Sequence, residues 1–384
     1  MISASSFIDH LRGLGYSQYA GVPCSFFTSL INYVSGDPTL DYIGATSEGE
    51  AVGITFGAFL AGRKTVTMCQ NSGLGNMVNP LTSLNYPFRV PTLLIVTWRG
   101  QPEVKDEPQH EQMGRIMHRL LETLEIPWLP FPTAEAEIGG AMAQAEASMQ
   151  ERERPFALVM AKGSLAPHGL TGRRQPERRT TDLRENLRAK ENERLTRTEA
   201  LELIIECLAG TEAIIATTGK TGRELFTISD SPNHLYVVGG MGTASAIGFG
   251  VAHALPRQPV VVIDGDGAAL MKLGTLATIG FYQPPNLLHI LLDNEVHDST
   301  GGQQTASSIV GFASIAAGAN YRSAFAVDGK EEIREALHLL RQRPGPSLLH
   351  VKIKRGSPQK LGRPTVKPHE VKERFSNFLQ SNRK

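Results

Sequence analysis

Residues 263–305 read IDGDGAALMKLGTLATIGFYQPPNLLHILLDNEVHDSTGGQQT. An apolar strand runs into Gly265-Asp266-Gly267, a helical pattern follows, and a second apolar run, LLHILLD, ends at Asn294. A βαβ unit of this length lays its two strands side by side in parallel. Asp266 and Asn294 then emerge at one carboxyl edge, where ligands bind in open α/β sheets. A carboxylate, an amide oxygen and a nearby backbone carbonyl are hard donors, suited to Mg²⁺ that completes its shell with water and phosphate oxygens. Gly265 and Gly267, flanking Asp266, let backbone amides approach such a phosphate, and the helix that follows directs its positive end at it.

A GDG followed at this distance by Asn resembles the thiamine diphosphate motif. By itself GDG also describes a tight strand-to-helix turn with no ligand; the flanking strand, helix and Asn supply the context that favours the cofactor.

The bulk properties agree with small-molecule chemistry. A chain of 384 residues holds two or three domains. It is 41% hydrophobic and 20% charged with a net charge of +1, a balance that argues against a nucleic-acid or membrane-surface partner. No apolar stretch has the length of a membrane span. The opening MISASSFIDHLRGLGYSQYAG is amphipathic and lacks the layout of a signal peptide, so a cytoplasmic location is expected. Cys24, Cys69 and Cys207 are scattered outside any CxxC pair and are expected to pack.

Working back toward the start, QYAGVP, DYIGAT, TVTMCQ, TLLIVTW and FALVMAKG are short apolar runs separated by helical patterns. They predict a parallel sheet with helices on both faces, and the polar segments after each run become the candidates for chemistry. Glu48 opens one helix, EGEAVGITFGAFLAG, whose small residues permit close packing. A carboxylate there complements the helix dipole in any protein. In thiamine diphosphate enzymes a glutamate at such a helix start hydrogen-bonds the pyrimidine N1′, and Glu48 aligns with it.

With GVPCSF, QNSGLGN, WRGQPEVKDEPQH, TTGKTGREL and HDSTGGQQT added, the chain resembles the phosphonopyruvate decarboxylases, with related blocks in the sulfopyruvate decarboxylases. The resemblance implies two doubly wound α/β domains: a pyrimidine-binding domain over residues 1–165 and a diphosphate- and Mg²⁺-binding domain over residues 198–384. Between them, residues 166–197 are charged and poor in large apolar side chains, and are expected to be a solvated connector. Thr196 and Glu199 have capping-box spacing at its end.

The resemblance also implies roles. Metal ligands are Asp266, Asn294 and the Val296 carbonyl; many relatives have Asn-Asn where this chain has Asp293-Asn294. Thr218, Gly219, Gly240, Met241, Gly265, Gly267 and Ala268 would meet the cofactor, with Met241 the wedge that bends it, although a core methionine is the plain alternative. TTGKTG lacks the spacing of a nucleotide P-loop. A phosphonate tail needs buried donors; candidates are Arg99, Lys105, Lys220 and Arg223, with Ser25 and Asn76. His110 and His297 are candidate proton carriers, or simply hydrogen-bonded histidines. Asp298 is expected to orient His297 or the aminopyrimidine.

The expected reaction is nonoxidative decarboxylation of 3-phosphonopyruvate to phosphonoacetaldehyde in phosphonate biosynthesis. Active sites would be shared between subunits of a homodimer or larger homo-oligomer. Sulfopyruvate decarboxylation, carboligation and a noncatalytic cofactor-binding subunit are the alternatives. Some relatives split the sulfopyruvate activity over two chains, so the fused chain leans toward the phosphonate.

Overall fold

The computed structural model describes residues 1–172 and 175–382. It divides into two compact units, Met1–Gln175 and Pro176–Lys384. The first holds strands β1 (Tyr16–Gly21), β2 (Asp41–Gly44), β3 (Lys64–Gln70), β4 (Leu93–Thr97), β5 (Trp128–Pro130) and β6 (Phe156–Met160). Their order is β2-β1-β3-β4-β6-β5, with every pairing parallel. β4 and β6 are buried along their full length, as strands covered on both faces must be. The period of two then divides each strand between two cores. Leu93 and Ile95 pack with Phe7, Tyr19 and Phe27, whereas Leu94 and Val96 pack with Val52, Met117 and Leu121. Cys24 sits in the first of these cores and Cys69 in the second.

The second unit holds β7 (Asp182–Asn186), β8 (Ala213–Ala216), β9 (His234–Tyr236), β10 (Val260–Gly265), β11 (Leu287–Asp293), the short ribbon of β12 (Val296–His297) and β13 (Gln303–Gln304), β14 (Ser323–Val327) and β15 (Ser347–Lys352). Seven of these form a parallel sheet in the order β7-β14-β15-β11-β10-β8-β9. All of β11, at the centre, is buried. Two parallel α/β units are the fold class that the strand pattern predicts.

The stretch over residues 166–197 differs from a plain connector. β7 lies within it and joins the second sheet, pairing Asp182 with Ser323 through Asn186 with Val327. The Arg188 and Ala189 amides donate to the Asp328 carboxylate. Composition conceals this because an edge strand pairs through its main chain while its side chains face water. Thr196 and Glu199 do form a capping box, and the helix Arg197–Cys207 follows. Among the described residues no helix is long and apolar enough to cross a membrane.

Candidate active site

Parallel register places the two motif residues together. Gly265 on β10 lies opposite Leu292 on β11, so Asp266 and Asn294 both leave the sheet at its carboxyl edge. They line one cleft with Thr218, Gly219 and Lys220 after β8, with Met241, and with Val296, His297 and Asp298. Gly267 lies close under His297: a Cβ on it would fall 2.4 Å from the His297 ring, which would have to move.

Asp266 is 4% exposed. The Thr305 hydroxyl donates to its Oδ2, and Ser307 Oγ lies 3.1 Å from the same oxygen and 2.7 Å from Asp293 Oδ1. Burial raises the Asp266 carboxyl above the ordinary range, against the help of these hydroxyls. Asp293 goes the other way. Its burial is outweighed by His350 and Lys352, each with its nitrogen 2.8 Å from Oδ2, and the carboxyl is lowered to about 2. Asn294 donates from Nδ2 to Asp298 Oδ2 at 2.7 Å, while its Oδ1 accepts from the Val296 amide. Among the described residues no three His, Cys, Asp or Glu side chains gather to hold a metal. The donor set is therefore one buried carboxylate, one oriented amide and backbone oxygen. That set fits a hard cation which shares oxygens with a diphosphate.

The carboxyl edge of the first sheet holds the other candidates. Ser47 caps the helix Glu48–Leu60, accepting from the Glu50 amide, and this puts Glu48 in the first turn. Glu48 is half-buried and accepts a hydrogen bond from Asn76 Nδ2 at 2.8 Å. It lies so close to Gly73 that a Cβ there would fall 2.2 Å from Oε1. Arg99 makes a two-pronged bond to Asp106, stacks 4.9 Å from the Phe26 ring centre, and reaches Ser25 Oγ at 3.4 Å. The Arg99 fork holds the Asp106 carboxyl well below the usual range. His110 is buried, with no partner for Nδ1 among the described residues. Lys105 is exposed.

Some expected substrate donors are already engaged. Arg223 donates to the carbonyls of Leu361 and Gly362 and lines no part of the cleft. Lys220 lines it, with its ammonium on Ser357 Oγ. Asn76 serves Glu48. Gly240 accepts the Thr243 hydroxyl and so shapes the loop that presents Met241, which is half-buried at the cleft. Asp298 faces Arg197, Asn294 and the Gly356 amide. Sequence reading gave no role to Arg197, Thr305, Ser307 or Gly73, the last inside the QNSGLGN segment quoted for the resemblance. The tail GGQQT contains Thr305 but says nothing of where its hydroxyl points, and Arg197 sits in a run of many arginines.

Residues 1–119 match the thiamine pyrophosphate enzyme N-terminal TPP binding domain, and residues 217–351 match the C-terminal TPP binding domain. A phosphonopyruvate decarboxylase from Streptomyces viridochromogenes is 45% identical over 379 residues, covering 99% of this chain and 95% of the relative. The chain belongs to the phosphonopyruvate decarboxylase family of thiamine pyrophosphate enzymes. A sulfopyruvate decarboxylase from Methanosarcina acetivorans is more distant in this family's neighbourhood, 29% identical over 97% of the chain. That relative spans both halves, so fusion of the two halves does not itself distinguish phosphonate from sulfonate. A benzoylformate decarboxylase from Polynucleobacter necessarius shares the fold at a TM-score of 0.71 with 14% identity, over 94% of this chain and all of that one.

Proposed function

We propose that the protein decarboxylates 3-phosphonopyruvate nonoxidatively to phosphonoacetaldehyde and CO₂, using thiamine diphosphate and Mg²⁺. The observation that carries the substrate is the difference in similarity along nearly the whole chain, 45% to the phosphonopyruvate enzyme against 29% to the sulfopyruvate one. When bound, thiamine diphosphate supplies the electron sink for loss of CO₂ from a 2-oxo acid. Asp266, Asn294 and the Val296 carbonyl would hold the cation, and the amides around Gly219, Gly267 and Ala268 the diphosphate. Glu48 would hold a proton at the aminopyrimidine, and Asn76 keeps its carboxylate in place. Arg99, with Ser25 beside it, is the main candidate for the anionic tail, Asp106 fixing its plane. Lys220 is the second, and Lys105 is exposed and free to approach. His110 and His297 remain the candidate proton carriers.

The test is CO₂ release and aldehyde formation from phosphonopyruvate, sulfopyruvate and pyruvate, with Mg²⁺ and thiamine diphosphate present or omitted. Turnover of phosphonopyruvate that needs both additions is expected. Turnover without the cofactor would overturn the reading, and a preference for sulfopyruvate would replace the substrate. We also infer a homodimer or larger homo-oligomer in which Glu48 of one subunit serves the cofactor held by another. Mixing Glu48→Gln with Asp266→Ala subunits should then restore part of the activity; no recovery under exchange conditions would refute shared sites.

A further inference from the structure

Asn294 can serve a cation only through its oxygen. An amide has two faces of nearly equal shape, one an acceptor and one a pair of donors, so something must decide which is presented. The donor side of Asn294 is held by Asp298 Oδ2 at 2.7 Å, and its oxygen accepts the Val296 amide at 3.3 Å, the longer and weaker of the two bonds, with a second lone pair left for a cation. Among the described residues every group hydrogen-bonded to the Asp298 carboxylate is a donor: Arg197 Nη2 at 2.5 Å and Asn294 Nδ2 on Oδ2, and the Gly356 amide on Oδ1 at 3.2 Å. Only a carboxylate, which accepts at both oxygens, satisfies all three. Arg197 in turn cannot swing away. Its other nitrogen, Nη1, donates to Glu224 Oε1 at 2.8 Å, and Thr198 Oγ1 donates to Glu224 Oε2. The side chains of Arg197, Glu224 and Asp298 are 7%, 1% and 10% exposed.

We propose that Asp298, clamped by Arg197, is a positioning residue that locks the Asn294 amide with its oxygen turned toward the cation. This rests on the reading of Asn294 as a metal ligand given above. It replaces the expected role of Asp298 in orienting His297 or the aminopyrimidine. It also gives Arg197, at the start of the second unit's first long helix, a purpose its position in a charged stretch conceals.

The test measures Mn²⁺ binding to the full chain in the presence of thiamine diphosphate, by the loss of the free Mn²⁺ spin-resonance signal. Asp298→Asn leaves one acceptor for three donors and sets an amide donor against one of them, so it loosens the hold on Asn294, leaving the longer Val296 bond to orient it, and is expected to weaken Mn²⁺ by ~10–100-fold, the usual range for an outer partner of a metal ligand. The decisive arm repeats the change in an Asn294→Asp background. A carboxylate ligand has two equivalent oxygens and needs no orientation, and beside Asp298 it meets a like charge that Asp298→Asn removes, so the change should there cost nothing or raise affinity, a non-additivity typical of directly coupled residues. Equal losses in both backgrounds would mean that Asp298 acts through its charge alone and would overturn the proposal. So would wild-type affinity in the single variant. Should Asp298→Asn fail to fold, Arg197→Lys serves: an ammonium cannot span Glu224 and Asp298 as the guanidinium fork does, and a smaller loss is expected, unchanged affinity being the contrary result. If the wild-type chain retains no Mn²⁺ with thiamine diphosphate, the cofactor-clamp reading itself is what fails.

Discussion

At the carboxyl edge of the second sheet, polar side chains are buried and bonded to one another. Asp266, Ser307 and Asp293 are linked in one cluster and Arg197, Asp298 and Asn294 in a second, the two meeting where Asp293 and Asn294 adjoin in the chain. At the carboxyl edge of the first sheet, Glu48 is half-buried and bonded to Asn76, and Arg99 is fixed by Asp106 but keeps an amine near Ser25. The same parallel architecture has been finished in two ways. A network of this density suits a group that stays put through the reaction, since each donor and acceptor is preset and little reorganisation is needed. A carboxylate with fewer partners, left partly open, suits a group that must exchange a proton. In the proposed reaction the second edge would hold and the first would react.

The largest effect should come from breaking the holding edge. Asp266→Ala removes the carboxylate proposed to bind the cation, and the loss of Mn²⁺ affinity in the presence of thiamine diphosphate should exceed the ~10–100-fold range of outer-partner changes. Activity should fall to background with it. Metal titration of the purified variant checks this, and near-normal affinity would show that the cation lies elsewhere. Glu48→Gln should separate the two edges. Decarboxylation should drop by roughly 10²–10⁴-fold, as for loss of a proton-transfer group, while Mn²⁺ and thiamine diphosphate binding change little. A parallel collapse of binding would show that Glu48 also holds.

How far each edge was legible in the sequence follows from the same contrast. GDG and the distant Asn could be read because strand register converts a sequence interval into proximity, whereas Glu48 gained its role only from the family resemblance, since a carboxylate at a helix start serves the dipole in any protein. The two-sheet fold was legible because strands buried on both faces are apolar runs. β7 was not: DLREN carries outward side chains, and only its main chain belongs to the sheet. Arg197, Ser307 and Asp293 were not legible either, since a buried ion pair or hydroxyl bridge depends on where loops return, which spacing does not encode. Arg223 illustrates the converse. A guanidinium in a promising motif is spent on two backbone carbonyls of a later segment.

A smaller effect tests whether the first edge's fixed component is also structural. Asp106 has its carboxyl lowered, first by the Arg99 fork and then by the Gly100 and Glu107 amides. A carboxylate lowered on folding stabilises the protein above its unfolded value, ~3.9, and loses that contribution as pH falls toward the folded value. Asp106→Asn should therefore cost about 2 kcal/mol near pH 7, the scale of hydrogen bonds to a charged group. Its deficit against the wild type should shrink below about pH 4, where the unfolded carboxyl is already protonated. Urea midpoints measured from pH 7 to pH 3 read both features. A deficit independent of pH would assign the loss to packing of the loop, including the tight approach of Gly100 to the His110 carbonyl.

The smallest effect falls on the cap that precedes Arg197. The Thr196 hydroxyl accepts from the Glu199 amide at 3.2 Å, and Glu199 Oε2 takes the Thr196 amide at 2.7 Å. Thr196→Ala should destabilise the chain by about 1 kcal/mol, the usual cost of losing a cap. Whether it also weakens the holding edge depends on what fixes Arg197. If the helix start did so, Mn²⁺ affinity would fall along with stability. The guanidinium, however, is gripped at its far end by Glu224 and Asp298, both almost fully buried. A fraying first turn can shift the backbone by a few tenths of an ångström without releasing that fork, because a long side chain absorbs the change in its own torsions. Mn²⁺ affinity should therefore stay within about 2-fold while the melting temperature drops, since affinity follows only groups that touch or orient a ligand. A joint loss would show that the network is anchored from its backbone end, and would move the rigidity of the second edge from its buried ion pairs to its helix cap.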